Sequence, residues 1–252
     1  MRKVKRRIFS GAVCEQLVYS ISDRAKLSTS KPRPRFKDEA ERIAHKTLIS
    51  RRHHRRLVNE NFSPASWYGT LTFDAENECH TFEEAKKARD LYYRRLKRKY
   101  PDSVVSLYIG RGKTTHRLHL HILVDGIPKE YLEEQWKLGR ISRIDHLREH
   151  CYYDGVDHGQ DYTGLADYLF NHWTPEQGGH RWKMSKNARR PETEDPTECR
   201  VAYSKEHPPR PPKGYILVES TVTEYGYQYF KYVVDNRKKK QRRPKIRGSS
   251  SA

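Results

Sequence analysis

The residues best suited to chemistry are His119 and His121, within Arg117-Leu118-His119-Leu120-His121-Ile122-Leu123-Val124. Read as a strand, the period of two sends Leu118, Leu120, Ile122 and Val124 to one face. Arg117, His119 and His121 go to the other. Two neutral imidazoles on one strand face, about 7 Å apart at their Cα atoms, can reach one cation when other groups complete its shell. The alternative is a polar, solvent-facing surface carrying two of the chain's 13 histidines.

The neighbouring segments supply elements that would hold this strand. Trp67–Asp74 is rich in aromatic and β-branched residues and reads as a strand, with Leu71 and Phe73 on one face and Thr70, Thr72 and Asp74 on the other. Val104–Ile109 and the turn Gly110–Thr115 lead into the histidine strand, which predicts an antiparallel hairpin. Thr81-Phe82-Glu83-Glu84 has capping-box spacing, and Phe82, Ala85, Ala88, Leu91, Tyr92 and Leu96 form the apolar stripe of a helix ending before Pro101. A short helix starts at Pro128 and runs through Trp136, and Ile141–Leu147 reads as a further strand. Downstream, Leu165, Tyr168, Leu169 and His172 fall at i, i+3, i+4 and i+7, so Asp161–Trp173 reads as a helix with Tyr168 and His172 on one side. Two tyrosine-rich strands, Tyr215–Thr223 and Tyr227–Val234, form a second hairpin, after the stiff connector Pro208–Pro212.

Charge is distributed unevenly over the 252 residues. The net charge of +19 lies in the flanks: +11 in residues 1–60, zero in 61–230 and +8 in 231–252. A balanced middle between basic ends suits a nucleic-acid-binding enzyme, since Lys and Arg that displace phosphate counterions supply sequence-independent affinity. The other occupants of such ends are solvent or anionic lipid. Residues 1–37 read as a basic arm, followed by a helix from Lys37 to about Asn59. That helix carries Arg51, Arg52, Arg55 and Arg56, which suit phosphate contact. Residues 236–252 read as a basic tail, disordered until bound. No apolar run approaches a membrane span and no signal-peptide core follows Met1–Arg7, so a cytoplasmic protein is expected. Cys14, Cys79, Cys151 and Cys199 have neither zinc-finger nor disulfide-framework spacing.

Three segments in order, the Leu71-Thr72-Phe73 strand, the His119-Leu120-His121 strand and the helix with Tyr168, resemble the HUH endonucleases. Within these the chain is most similar to the rolling-circle replication initiators of bacterial plasmids and phages. The similarity covers roughly residues 61–190; Gly110-Arg111-Gly112-Lys113 and the run Tyr168 to Asn187 carry the likeness to the replication group. The resemblance implies an α+β fold, a central antiparallel β-sheet with flanking helices (RRM-like), spanning 61–235 with the C-terminal hairpin. It implies Mg²⁺ or Mn²⁺ on His119 and His121, origin or other single-stranded DNA as substrate, and Tyr168 as nucleophile. It further implies a bacterial cell and a host helicase and polymerase as partners, since no P-loop is present.

An ordinary phenol, with a pKa of about 10, is only about 0.1% ionised at neutral pH, so tyrosine attack requires a metal, a base or a water to assist. Tyr162 lies about 240° round a helix from Tyr168, which predicts a single nucleophile. Many relatives have a third ligand about eight residues before the first histidine; here that position is Arg111, which cannot ligate a cation. His116 and His172 are the candidates for the third ligand. Many relatives also have a lysine three residues after the tyrosine, where this chain has Asn171. Arg181, Lys183 and Lys186 are the candidates to replace that charge, with Arg111 and Lys113 as further DNA contacts. A relaxase or a single-tyrosine transposase would use the same chemistry, and a DNA-binding protein without catalysis would need only the basic flanks.

Overall fold

Apolar alternation in three adjacent strands builds the first sheet. The computed structural model describes residues 2–22, 37–172, 182–222 and 227–235. The chain opens with a hairpin of β1 (Arg2–Ser10) and β2 (Val13–Ile21), followed by α1 (Glu39–Asn61), β3 (Trp67–Phe73) and α2 (Phe82–Lys99). Next come β4 (Val104–Arg111), β5 (Leu118–Asp125), α3 (Lys129–Gln135) and β6 (Gly139–His146). A two-stranded β7 (Tyr152–Tyr153) and β8 (Val156–Asp157) precedes α4 (Thr163–Asn171). The remaining strands are β9 (Trp182–Met184), β10 (Glu192–Thr193), β11 (Thr197–Glu198), β12 (Tyr215–Val222) and β13 (Gln228–Val234). The protein is α+β, with helices flanking antiparallel sheets.

The first sheet has the order β6-β3-β5-β4-β9, all antiparallel, with the histidine strand at its centre. Leu118, Leu120, Ile122 and Val124 lie on its α2 face with Leu71, Phe73, Leu107, Ala85, Tyr92 and Leu96. The capping box of Thr81 and Glu84 forms as the sequence predicts, whereas Leu91 of the expected stripe is exposed. On the opposite face Tyr108 and Leu123 meet Val58 and Phe62 from the end of α1 and Ala166 and Leu169 of α4. Arg55 of α1 clamps Asp167 of α4 with two hydrogen bonds of 2.7 and 2.6 Å.

Residues 2–21 correct the expected basic arm. They form a hairpin that pairs through β2 with β13, giving a second sheet in the order β10-β1-β2-β13-β12, with β11 also on β1. Frequent cations obscure the strand period here, yet Val4 and Ile8 are buried on one side while Lys3 is exposed. Gly11 turns the hairpin at φ +55°, and any Cβ there would sit 2.1 Å from the Asn59 carbonyl, so the turn packs directly on the end of α1. The other face of this sheet buries Cys14, Val18, Phe230 and Tyr232 under Cys199 and Tyr203. The proline connector runs beside this cover, where Tyr232 donates to the Pro209 carbonyl at 3.4 Å.

Two ion pairs tie the second sheet to the helices behind the first. Arg56 of α1 pairs with Glu15 of β2, and Lys231 of β13 meets Asp161, just before α4, at 2.5 Å. Among the described residues no helix is long and apolar enough to cross a membrane. The expected tail, residues 236–252, lies outside the described residues.

Candidate metal centre and nucleophile

Central placement in the sheet fixes the backbone on both sides of His119 and His121. In register, Thr72 and Gly110 flank His119, and Thr70 and Tyr108 flank His121. Both imidazoles project to the α4 side of the sheet. Their Nε2 atoms are 3.1 Å apart. His172, capping the C-terminal end of α4, brings its ring centroid to 4.6 Å from His121 and 6.0 Å from His119. One ring nitrogen from each of the three lies within 4.8 Å of the others.

Gly110 makes this crowding possible. A Cβ at that position would stand 2.6 Å from His119 Nε2 and 2.9 Å from His172 Cδ2, inside van der Waals contact. The strand therefore needs glycine opposite the first histidine.

The hydrogen bonds behind the rings decide which nitrogen of each ring faces inward. His172 Nδ1 lies 2.7 Å from the Tyr168 carbonyl, which can only accept, so Nδ1 is the donor and Nε2 is the nitrogen turned to the cluster. His121 Nδ1 meets Thr70 Oγ1 at 3.1 Å and the Tyr68 hydroxyl at 3.2 Å, and a proton donated there leaves its Nε2 free as well. Burial, then its histidine neighbours, push His121 down to about 3; burial also lowers His119. Two nitrogens each about 2.1 Å from one cation stand roughly 3.0 to 3.4 Å apart at angles of 90° to 110°. The 3.1 Å separation of His119 and His121 fits that spacing. The donor set thus fits a divalent transition ion better than a hard, oxygen-seeking one.

Tyr168 stands one helical turn before His172 and is 48% exposed. Its ring centroid is 4.3 Å from His172 and 5.6 Å from His121. Burial, and then the adjacent Tyr168, push the Tyr68 phenol up to about 12. Tyr68 is therefore held protonated beside both His121 and Tyr168. Tyr162 is buried, and its hydroxyl donates to the Arg148 carbonyl at 3.0 Å, so it does not share the imidazole face.

Other sequence candidates fall elsewhere. His116 occupies the exposed β4–β5 turn at φ +55°, outside the three-histidine group. Arg111 is in register with Leu118, so it faces α2, where its guanidinium lies 5.1 Å from the Phe82 ring centroid. Lys183 is in register with Leu107 and binds Asp90 at 3.0 Å, also on the α2 side. Lys113 and Lys186 are exposed in turns, and Arg181 lies outside the described residues. Arg55 and Arg56 are committed to Asp167 and Glu15, and Arg52 lies over the Tyr227 ring, so the α1 cluster is not the free phosphate surface that its charge suggests. Arg51 alone of the four reaches the site's edge: its Nη2 donates to Asn171 Oδ1 at 2.8 Å.

Gly110, Thr70 and Tyr68 are the site residues that sequence reasoning missed. Thr70 was visible as part of a polar strand face, but its partner His121 follows only from the register. No family model, curated protein or solved structure matches the chain.

Proposed function

We propose that the protein is a metal-dependent single-strand DNA endonuclease and strand transferase, acting as a rolling-circle replication initiator. The observation that carries this reading is Tyr168 set one turn before His172, beside half-buried His119 and buried His121. A divalent cation on the three histidines would supply charge neutralisation at the scissile phosphate. Tyr168 is exposed enough to meet a strand, and its place beside the imidazoles would bring its hydroxyl near a phosphate held there. Its Oη forms the new bond to phosphorus while the bond to the 3′ oxygen breaks. The phenolic proton passes to solvent, the departing oxygen takes up a proton, and the downstream fragment stays joined to the tyrosine through its 5′ phosphate. The ester is retained, so the reverse step rejoins strands. Tyr68, kept protonated, is placed to donate toward Tyr168 or a phosphate oxygen. Host helicase and polymerase would use the freed 3′-hydroxyl.

The 3.1 Å contact of His119 and His121 also supports a second reading, a DNA-binding protein in which one neutral imidazole simply donates to the other. Incubation with a labelled pool of randomised single-stranded oligonucleotides, with and without Mn²⁺, separates the two. The nuclease forms a covalent adduct at the 5′ end of the downstream fragment, lost in Tyr168→Phe and with chelator. Tight binding with no adduct under any of these conditions favours the second reading.

A further inference from the structure

Beside the three histidines, on the β6 side of Tyr68, is a cavity of about 310 Å³. Its walls include Tyr68, Tyr152, Tyr153, Tyr162, Arg143 and Arg148. Tyr68 is shared with the metal centre, where its hydroxyl lies 3.2 Å from His121 Nδ1, and Leu165, also on the wall, is one turn before Tyr168 on α4. Cavity and nucleophile are therefore separated by one side chain.

The walls are rigid where they need to be. Tyr153 donates to the Asp161 carbonyl at 2.8 Å and accepts from the Gly164 amide at 2.9 Å, while Tyr162 is held by the Arg148 carbonyl. Tyr152, by contrast, is 64% exposed, an aromatic face at the mouth with little packing to explain it. Arg140 and Arg143 are in register with Thr72 and Thr70, which puts both guanidinium groups on the histidine face along the edge strand β6. Arg143 is paired with Asp145, and both line the cavity. Aromatic walls with arginines at the rim are the chemistry of an unpaired base stacked off a strand whose backbone runs over the cations. The volume lies near the lower end for small organic ligands, which suits one base rather than a folded partner.

The geometry points to a pocket that takes one unpaired nucleobase of the bound single strand, next to the phosphate presented to Tyr168, with the backbone following Arg140 and Arg148. This rests on the nuclease reading for the phosphate's position, but the pocket is tested without cutting. The probe is the Tyr168→Phe, Cys79→Ser double variant in chelator, with a randomised single-stranded 20-mer and an abasic 20-mer of equal length. Cys151 lines the cavity, whereas Cys14 and Cys199 are buried, so a small thiol reagent reports on occupancy at Cys151.

The base-bearing strand is expected to slow Cys151 labelling at least fivefold, and the abasic strand, at concentrations saturating its own binding, to leave it unchanged. The base-bearing strand should bind about tenfold tighter than the abasic one, and Tyr152→Ala should remove most of that preference, in line with the worth of one stacked base. Unprotected Cys151, or an undiminished preference in Tyr152→Ala, overturns the pocket. Equal protection by free deoxynucleoside monophosphates at the strand's own micromolar concentration overturns it as a strand subsite. A wild-type protein that forms no adduct while protection and preference hold would sink the nuclease reading and leave the pocket standing.

Discussion

His172 carries most of the weight at the residue scale, because it turns a pair of strand histidines into a three-nitrogen cluster. Its Nδ1 donates to the Tyr168 carbonyl, so Tyr168 and His172 are coupled through one turn of helix. His172→Ala should weaken Mn²⁺ binding by at least the 10- to 100-fold typical of perturbed metal-site shells, measured by titration calorimetry, while His116→Ala leaves it unchanged. Equal effects of the two changes would remove His172 from the shell. A second prediction concerns His54, fully buried between α1 and the sheet, where its Nε2 meets the Tyr108 hydroxyl at 2.8 Å. Burial pushes it down to about 3. Because the unfolded chain protonates this histidine near pH 6.5 and the folded one does not, its contribution is present above pH 6.5 and is lost on acidification toward pH 3. One such group accounts for a slope of about 1.4 kcal/mol per pH unit in that window. Urea unfolding of His54→Gln across pH 4 to 6.5 should show a slope shallower by about that amount; a parallel curve would show that His54 does not titrate as argued.

At the element scale, β4 matters as much as β5. Gly110 stands opposite His119 with no room for a Cβ, so Gly110→Ala must push the imidazoles of His119 or His172 out of place. We expect near-normal circular dichroism with Mn²⁺ affinity down about tenfold or more, and adduct formation reduced in parallel. Intact metal binding in that variant would mean that the rings do not need this spacing. Most elements were legible in the sequence: the capping box of α2, the hairpin of β4 and β5, and the split of β5 into an apolar and an imidazole face all follow from local pattern. The β1–β2 hairpin was not, because five cations in nine residues of β1 read as a solvated arm. Pairing with β13, over 200 residues away, and with β10 and β11 explains why it folds.

For the whole molecule, the second sheet braces the helices that carry the site. Lys231 and Asp161, 6% and 0% exposed at their side chains, join β13 to the entry of α4. Burial alone would raise the Asp161 carboxyl, but Lys231 and Thr163 hold it below the usual carboxylate range. Lys231→Met would leave that carboxylate buried without its cation, which costs about 3 to 5 kcal/mol. The midpoint of urea unfolding should fall accordingly, and adding Asp161→Leu should recover part of the loss. A Lys231→Met protein of unchanged stability would show that the two sheets are not coupled through this pair.

The sequence by itself determined the strand that presents His119 and His121 on one face and the helix that presents Tyr168 and His172 together. These depend on periods of 2 and 3.6, which are local properties of the chain. Which histidine joins the pair was decided only by the tertiary structure, because the distance from His172 to β5 depends on how α4 docks. The same holds for the arginines. Their number was plain in the sequence, but whether Arg55 faces a phosphate or Asp167 is a matter of what packs against α1, and a residue's charge carries no information about its eventual neighbour.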